Sequence, residues 1–108
     1  MKRYTVVFTP RAERQLNALY VRIADDKGQA TADNYVDGIV ADCRSLSIFP
    51  ERGTKHDEIR PNLRTKGHAR RVTIAFSVND STETVVIHGV FYGGQEFEQL
   101  LRDTDDDD

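Results

Sequence analysis

Hydrophobic residues alternate with polar ones at the start of the chain and then recur every three or four positions. Tyr4, Val6 and Phe8 fall on one side of the first segment, which is typical of a β-strand. Thr9 and Pro10 then favour a helix start: the threonine side chain can accept a hydrogen bond from a first-turn amide, and proline at the first helical position loses no hydrogen bond. We therefore predict a strand that leads directly into a helix.

Two amphipathic helices are predicted after this strand. The first ends at the polar segment 25–28, where Gly28 can adopt the positive φ of a helix end, and the second runs over about residues 29–48. Their apolar positions are Ala12, Leu16, Leu19, Ile23 and Ala24 in the first helix and Ala32, Tyr35, Val36, Ile39, Val40, Cys43 and Leu46 in the second. Because the connection is so short, the helices should lie nearly antiparallel.

The hydrophobic period changes to two from Ile59 onward, which predicts strands. The predicted strands cover residues 63–65, 72–78 and 84–92, with a loop at 54–58 and a turn at 79–83. Pro61 cannot donate to a sheet ladder, so the strand near 63–65 is not expected in a central position.

A short third helix is predicted at residues 94–102, where Phe97, Leu100 and Leu101 lie at helical spacing. The resulting order is β-α-α-β-β-β-α. Helices that are segregated from a strand meander indicate an α+β fold, with a helical hairpin packed on one face of a small, largely antiparallel sheet.

At 108 residues the chain is the size of one domain, and we assign residues 1–102 to it. Its net charge of −3 arises at the end of the chain, since five of the 18 acidic residues are aspartates of residues 103–108. Residues 1–102 then contain 13 acidic and 15 basic residues, so this part is mildly cationic. Clustered like charges repel and bury no apolar area, so the tail 103–108 is predicted to be disordered.

Several protein classes are disfavoured by what the sequence lacks. The single Cys43 can form no internal disulfide and is expected to pack as a small hydrophobic residue, and no Cys/His cluster has metal-ligand spacing. We therefore expect neither a metal nor a cofactor. No apolar run approaches the roughly 18 to 20 residues of a membrane span, and the start of the chain has the pattern of a strand rather than a signal peptide. A cytoplasmic protein with no membrane partner is expected.

Four segments together resemble the ParE branch of the RelE/ParE toxin superfamily, over about residues 3–101. They are Tyr4-x-Val6-x-Phe8-Thr9-Pro10-x-Ala12-x-x-x-Leu16, Leu46-Ser47-Ile48-Phe49-Pro50-x-x-Gly53, Ile59-Arg60-Pro61-x-Leu63-Arg64 and Ile87-x-Gly89-Val90-Phe91-Tyr92-Gly93. The resemblance implies the same α+β fold and a toxin that a cognate ParD-like antitoxin neutralises. It also implies one of two activities, because RelE-like members are ribosome-dependent mRNA endonucleases and ParE-like members inhibit DNA gyrase without chemistry of their own.

The end of the last strand favours the gyrase-inhibiting branch. RelE-like nucleases use Lys and Arg residues of the middle strands, an Arg just after the last strand, and a Tyr or His near the C-terminus. Aligned on Gly93, this chain has Gly94 and Gln95 after the strand and Leu101 near the terminal position, so the resemblance implies no catalytic residues. The residues predicted to contact the target are Tyr92, Gly93, Gly94, Gln95 and Phe97.

An antitoxin is expected to use cations and an apolar groove. Arginine forms charge-assisted hydrogen bonds that fix an extended acidic or polar peptide well. The arginines assigned to this role are Arg60, Arg64, Arg70 and Arg71. Tyr20 and Tyr35 are expected to frame a groove for a partner helix. Since the DNA-binding part of such a complex belongs to the antitoxin, no direct nucleic-acid contact is expected of this chain.

Two other functions stay open. One is an mRNA endonuclease whose site consists of Arg64, Lys66, His68, Arg71, His88 and Tyr92. Strand alternation predicts His88 and Tyr92 on one side that Arg71 need not share, which disfavours this site. His68 is expected to be exposed, and His56 and Asp57 are assigned to the surface. The other function is a non-toxic binding module that has kept the fold and lost its target.

Overall fold

The computed structural model describes residues 3–93, which form two helices and one five-stranded sheet. The elements in chain order are β1 (Thr5–Phe8), α1 (Pro10–Lys27), α2 (Gln29–Arg44), a 3-10 turn (Ser45–Ser47), β2 (Thr54–Lys55), β3 (Leu63–His68), β4 (Val72–Asn79) and β5 (Thr84–Tyr92). The helical hairpin on a mostly antiparallel sheet confirms the predicted α+β class. The helix predicted at 94–102 and the tail at 103–108 lie outside the described residues.

The first strand and the first helix join as predicted, through the side chain of Thr9. Its hydroxyl accepts a hydrogen bond from the Ala12 amide (3.1 Å), and Pro10 is the first helical residue. The same hydroxyl donates to the His88 carbonyl of β5 (3.2 Å). The start of α1 is therefore fixed to the strand that β1 pairs with.

One residue separates the two helices. Gly28 has a φ of 97°, and its amide donates to the Ala24 carbonyl (2.9 Å) while its carbonyl accepts from the Ala32 amide (3.1 Å). A side chain at this positive φ would be strained, so glycine allows the chain to reverse here. Across the hairpin the Tyr20 hydroxyl donates to Asp33 (2.8 Å).

The second helix is shorter than the sequence pattern predicts. It ends at Arg44 and continues as the 3-10 turn Ser45–Ser47 instead of reaching Ile48. The Ser45 hydroxyl donates to the Asp42 carbonyl (2.6 Å), and serine side chains that bond nearby backbone in this way compete with helical hydrogen bonds. The turn also supplies the Ser47 carbonyl, which accepts from the Tyr4 amide (2.7 Å).

The strand order is β1-β5-β4-β3-β2, with β1 and β5 parallel and the other neighbours antiparallel. The short β2 was predicted as a loop, and it covers the outer side of β3, which therefore lies inside the sheet. Pro61 does not prevent this, since β3 begins two residues later at Leu63. Glycine at position 53 allows β2 to lie beside β3, because a Cβ there would clash with the Thr65 carbonyl.

A β-bulge in β5 changes which side chains face the helices. Ala75 pairs with Gly89 but Phe76 pairs with Ile87, so His88 is an extra residue opposite this step. Ile87 before the bulge and Tyr92 after it both pack toward the helices. His88 bonds instead to Ser77 (2.7 Å), which lies on the opposite face of β4. The prediction that His88 and Tyr92 share one side is therefore wrong.

The main core lies between the helices and the sheet. Its buried members are Tyr4, Ala12, Leu19, Ile39, Cys43, Leu46, Val72, Ile74, Phe76, Val85, Ile87 and Val90. A smaller cluster of Leu63, Ala75 and Phe91 lies on the opposite face under Ile59. Cys43 is fully buried, and burial raises the pKa of its thiol to about 12, which confirms its packing role. Within residues 3–93 neither helix is apolar enough to cross a membrane.

Loss of the Thr9 hydroxyl should destabilise the fold. Thr9→Ala removes the cap of α1 and the contact to β5, so the free energy of unfolding should fall by about 1–2 kcal/mol, the usual range for a lost N-cap. Thr9→Ser is the matched control, since it keeps the hydroxyl and should retain most of the stability. Urea titrations of the three proteins measure the effect, and equal losses in both variants would contradict it.

Candidate functional site

Three basic side chains of β3 share the face of the sheet that the helices cover. Arg64, Lys66 and His68 alternate along the strand with residues of the opposite face. Lys66 pairs with Ile74 of β4, and His68 pairs with Val72, both of which belong to the main core. The basic side chains thus extend along the edge of that core, beside α2.

The carboxylate of Asp42 on α2 binds two of these side chains. Lys66 Nζ lies 2.8 Å from both carboxylate oxygens, and His68 Nδ1 lies 2.8 Å from Oδ2. Since a carboxylate only accepts hydrogen bonds, Nδ1 of His68 is the donor. Arg52 Nη1 approaches the other oxygen at 3.7 Å. Burial alone would raise the pKa of Asp42, but the hydrogen bonds from Lys66 and His68 outweigh it and hold the pKa below its ordinary value.

Aromatic rings continue from this charged cluster toward α1. The Tyr35 ring meets His68 and Tyr92 edge-on, with both pairs of centroids 6.4 Å apart. On the far side the Arg22 guanidinium lies over the Tyr92 ring, 5.4 Å from its centre, which is within the range of a cation–π contact. Burial raises the pKa of Tyr35, and the charge of Arg71 opposes this shift. A row of four side chains therefore connects β3, α2, β5 and α1. Its members are His68, Tyr35, Tyr92 and Arg22.

An open cleft adjoins the row. It has a volume of about 360 Å³ and is lined by Thr31, Asn34, Tyr35, Gly38, His68 and Ala69. His68 was expected to be exposed, but it is half-buried because Asp42 holds it against α2. His56, assigned to the surface, is also half-buried, with Nε2 2.9 Å from the Thr65 hydroxyl, whereas Asp57 is exposed.

The four arginines assigned to the antitoxin lie in different settings. Arg70 and Arg71 are exposed in the β3–β4 turn, where Arg70 has a φ of 71°. The Arg64 side chain is only 13% exposed, since Nη1 donates to the Arg52 carbonyl (3.3 Å) and Nη2 lies 3.9 Å from Glu51. Arg60 is half-buried in the loop before β3. The turn thus offers the most accessible cations of this set.

Tyr20 and Tyr35 do not frame one groove, contrary to the sequence prediction. Tyr20 lines a groove of about 430 Å³ between the outer sides of the helices, together with Glu13, Leu16, Asn17, Val36 and Val40. Tyr35 lies on the core stripe of α2 and points to the sheet, where it meets His68 and Tyr92. The two tyrosines therefore belong to separate surfaces.

The predicted target surface begins at the end of β5. Tyr92 is half-buried, while Gly93 is exposed with a φ of 74° and donates its amide to the Arg71 carbonyl (2.8 Å). Gly94, Gln95 and Phe97 lie outside the described residues. Within residues 3–93, no group of three or more His, Cys, Asp or Glu side chains is arranged to hold a metal ion.

Asp42 is the residue that the sequence analysis missed. The signal was present, because Asp42 lies three residues after Ile39 and seven after Tyr35, beside the apolar stripe of α2. A carboxylate at the border of a buried stripe has to find a cation or lose its charge. Its partners on β3 could not be read from the periodicity of either element.

The comparisons with known proteins agree with this fold. A family model described as the ParE toxin of the type II toxin–antitoxin system parDE matches residues 6–97 of the chain. No curated protein matches the chain significantly.

Two solved structures resemble the chain over most of its length. A chromosomal ParDE toxin–antitoxin system from P. aeruginosa has a TM-score of 0.71 and 21% identity, covering 83% of this chain and 96% of that one. The RelBE2 toxin–antitoxin complex from Mycobacterium tuberculosis has a TM-score of 0.57 and 26% identity, covering 88% of this chain and 97% of that one. At 21% identity, the likeness to the ParDE structure shows that the two proteins share a fold.

The pH dependence of stability should report on the Asp42 cluster. Because folding lowers the pKa of Asp42, its ionised form stabilises the folded state above the ordinary value of 3.8, and this contribution is lost as the pH falls through the lower folded-state pKa. Asp42→Asn should lower the free energy of unfolding at pH 7 by about 1–2 kcal/mol, the range for hydrogen bonds to charged groups reduced for partial exposure.

The difference between Asp42→Asn and the wild type should shrink as the pH falls below 3.8, and urea titrations across this range measure it. Asp37→Asn, at an exposed position of the same helix, is the control. A difference that stayed constant from neutral to acid pH would contradict the assignment.

Proposed function

Because the chain belongs to the ParE toxin family of type II toxin–antitoxin systems, we propose that it is a non-enzymatic poison of DNA gyrase that a cognate ParD-like antitoxin neutralises. The observation that carries the non-enzymatic part is the contact of Asp42 with Lys66 and His68. The likeness to toxin–antitoxin structures supports the antitoxin as partner. Such a protein would act in the cytoplasm.

Cleavage of RNA by its own 2′-hydroxyl requires a base, an acid and cations that can reach the phosphate. In this chain the carboxylate of Asp42 already occupies Lys66 and His68. Arg64 is turned to the Arg52 carbonyl, and the β5 bulge places His88 on the opposite face from Tyr92. The six residues of the candidate nuclease site therefore do not converge on one point.

The target surface is proposed at the end of β5. Tyr92 has a ring that the Arg22 guanidinium and the Tyr35 edge hold in one orientation, and fixed aromatic rings make effective interface anchors. Gly93 beside it is exposed, and among residues 3–91 no atom lies within 4 Å of the position that a Cβ would take. The proposal also assigns target contacts to Gly94, Gln95 and Phe97, which lie outside the described residues.

The antitoxin surface is proposed to have two parts. The groove with Tyr20 on its rim exposes the sides of Leu16, Val36 and Val40, which suit the apolar face of a partner helix. At the other part, Arg70 and Arg71 project from the β3–β4 turn beside the cleft of Tyr35, where they can bind acidic groups of an extended segment. Direct contact with nucleic acid is not part of this proposal, since DNA binding would belong to the antitoxin.

An mRNA endonuclease is the second candidate. It is favoured by the likeness to the RelBE2 complex and by the His68–Asp42 pair, whose imidazole borders an open cleft beside Tyr35. A histidine oriented by a carboxylate is a common arrangement for a general base. In that case catalysis would use His68 and Tyr92 on the helix side of the sheet, and His88 would have no part in it.

Gyrase and mRNA assays on one preparation separate the candidates. Antitoxin-free protein should inhibit supercoiling of relaxed plasmid by gyrase or trap DNA breaks, and it should leave mRNA intact on programmed ribosomes, because its β3 cations are occupied. Gly93→Asn should weaken the inhibition, since asparagine tolerates positive φ and adds bulk only at the proposed contact. Lys27→Gln, exposed at the end of α1, is the control.

Cleaved mRNA with unaffected gyrase would overturn the gyrase proposal in favour of the endonuclease, and loss of cleavage in a folded His68→Gln variant would then identify the base. Growth arrest on expression without antitoxin excludes the third possibility, a non-toxic binding module. Normal growth with neither activity would support that module instead.

Charge reversal in the β3–β4 turn should weaken antitoxin binding. Arg70→Glu and Arg71→Glu place like charges against an acidic segment, so we expect the dissociation constant to rise about tenfold or more. Titration calorimetry with the antitoxin measures it. Lys55→Glu in exposed β2 is the charge-matched control. Unchanged affinity in both turn variants would remove the turn from the interface, whereas Arg64→Glu is less informative because it also breaks the contact with Arg52.

A further inference from the structure

We propose that Lys66, His68 and Arg52 form a binding site for a phosphate group, and that Asp42 closes this site by placing its own carboxylate where the phosphate would bind. The residues of this site lie in α2, in β3 and in the loop before β2, and they would bind phosphate whatever the toxin target is.

Two donors converge on one point as they would on a bound oxyanion, and a third cation lies beside them. Lys66 Nζ contacts both oxygens of Asp42 at 2.8 Å, and His68 Nδ1 contacts one at 2.8 Å. Arg52 Nη1 donates to the Ser45 hydroxyl (3.3 Å) and lies 3.7 Å from the other carboxylate oxygen. Lysine, arginine and histidine N–H groups are the side-chain donors that proteins use for phosphate. Among the described residues 3–93, Asp42 is the only acidic residue in contact with Lys66, His68 and Arg52.

The position of Asp42 on its helix supports its role as an internal anion. Asp42 lies in the last turn of α2, which ends at Arg44, and a negative charge at a helix C-terminus is electrostatically unfavourable. Stability of the helix therefore does not account for an aspartate there. Its contacts with Lys66 and His68 do, because they hold the pKa of the carboxyl below its ordinary value despite burial.

Charge and space would both allow a phosphate to replace the carboxylate. Lys66 and Arg52 carry two positive charges against the single negative charge of Asp42. The side chains of Lys66, His68 and Asp42 are 15%, 21% and 20% exposed, so solvent reaches the site. The cleft of about 360 Å³ on the other side of His68 provides room for the remainder of a ligand.

The ligand class is a phosphate group, either free or as part of a short RNA. In the wild type the internal carboxylate repels such an anion and also holds its donors. One side chain of α2 would therefore determine whether this sheet face can bind a phosphate at all.

Removal of the carboxylate tests the proposal. Asp42→Ser takes away the charge and leaves space, and Asp42→Asn removes the charge at nearly constant shape. Inorganic phosphate should raise the Tm of Asp42→Ser relative to sodium chloride of equal ionic strength, because a ligand that binds only the folded state stabilises it. Asp37→Asn on the same helix controls for the general effect of phosphate, and it and the wild type should show a smaller shift.

Titration calorimetry should give a phosphate affinity for Asp42→Ser about tenfold or more above that of the wild type, which corresponds to about 1.4 kcal/mol. Adding Lys66→Ala should remove the gain. A hexanucleotide RNA in place of phosphate distinguishes the sources: tighter binding than phosphate indicates a nucleic-acid backbone, and equal affinity indicates a free phosphate.

Equal phosphate binding by the wild type and both Asp42 variants would overturn the proposal, as would a gain that survives the loss of Lys66. If Asp42→Ser does not fold without phosphate, Asp42→Asn decides by the same measurements. Refolding of Asp42→Ser by phosphate but not by chloride would itself support the site.

Discussion

One extra residue in β5 determines how the sheet meets the helices. The bulge at His88 shifts the alternation, so that Ile87 before it and Val90 after it both enter the main core. Without the shift, Val90 and Tyr92 would lie on the opposite face of the sheet, away from the helices. The Tyr35–Tyr92 contact and the position of the Arg22 guanidinium over the Tyr92 ring both follow from this irregularity.

The contact of Asp42 with Lys66 and His68 is the second connection between the layers, and it is electrostatic where the first is apolar. It attaches the end of α2 to an inner strand, and in our proposal it also closes a phosphate site. The same carboxylate would then serve both stability and specificity. Function in a given fold has to be argued from single contacts of this kind and not from the fold itself.

Much of this structure is local and could be predicted from the sequence. Thr9 and Pro10 start α1, Gly28 reverses the chain, and the apolar stripes identify the core faces of both helices. The features that escaped prediction depend on pairing between distant segments. The bulge at His88 arises from the register of β4 against β5. Strand β2 forms because Gly53 lets the polar residues Thr54 and Lys55 lie close to β3. The partners of Asp42 were equally hidden, since they are 24 and 26 residues away on another element.

Cys43 gives the chain an internal probe of its own opening. The thiol lies in the centre of the main core with no exposed surface, and its raised pKa leaves almost no reactive thiolate in the folded state. A thiol reagent can therefore label it only in molecules whose helices have separated from the sheet. Since Cys43 belongs to none of the proposed contact surfaces, slower labelling in the presence of a partner would measure how much binding shifts the folding equilibrium, without a change to the interface itself.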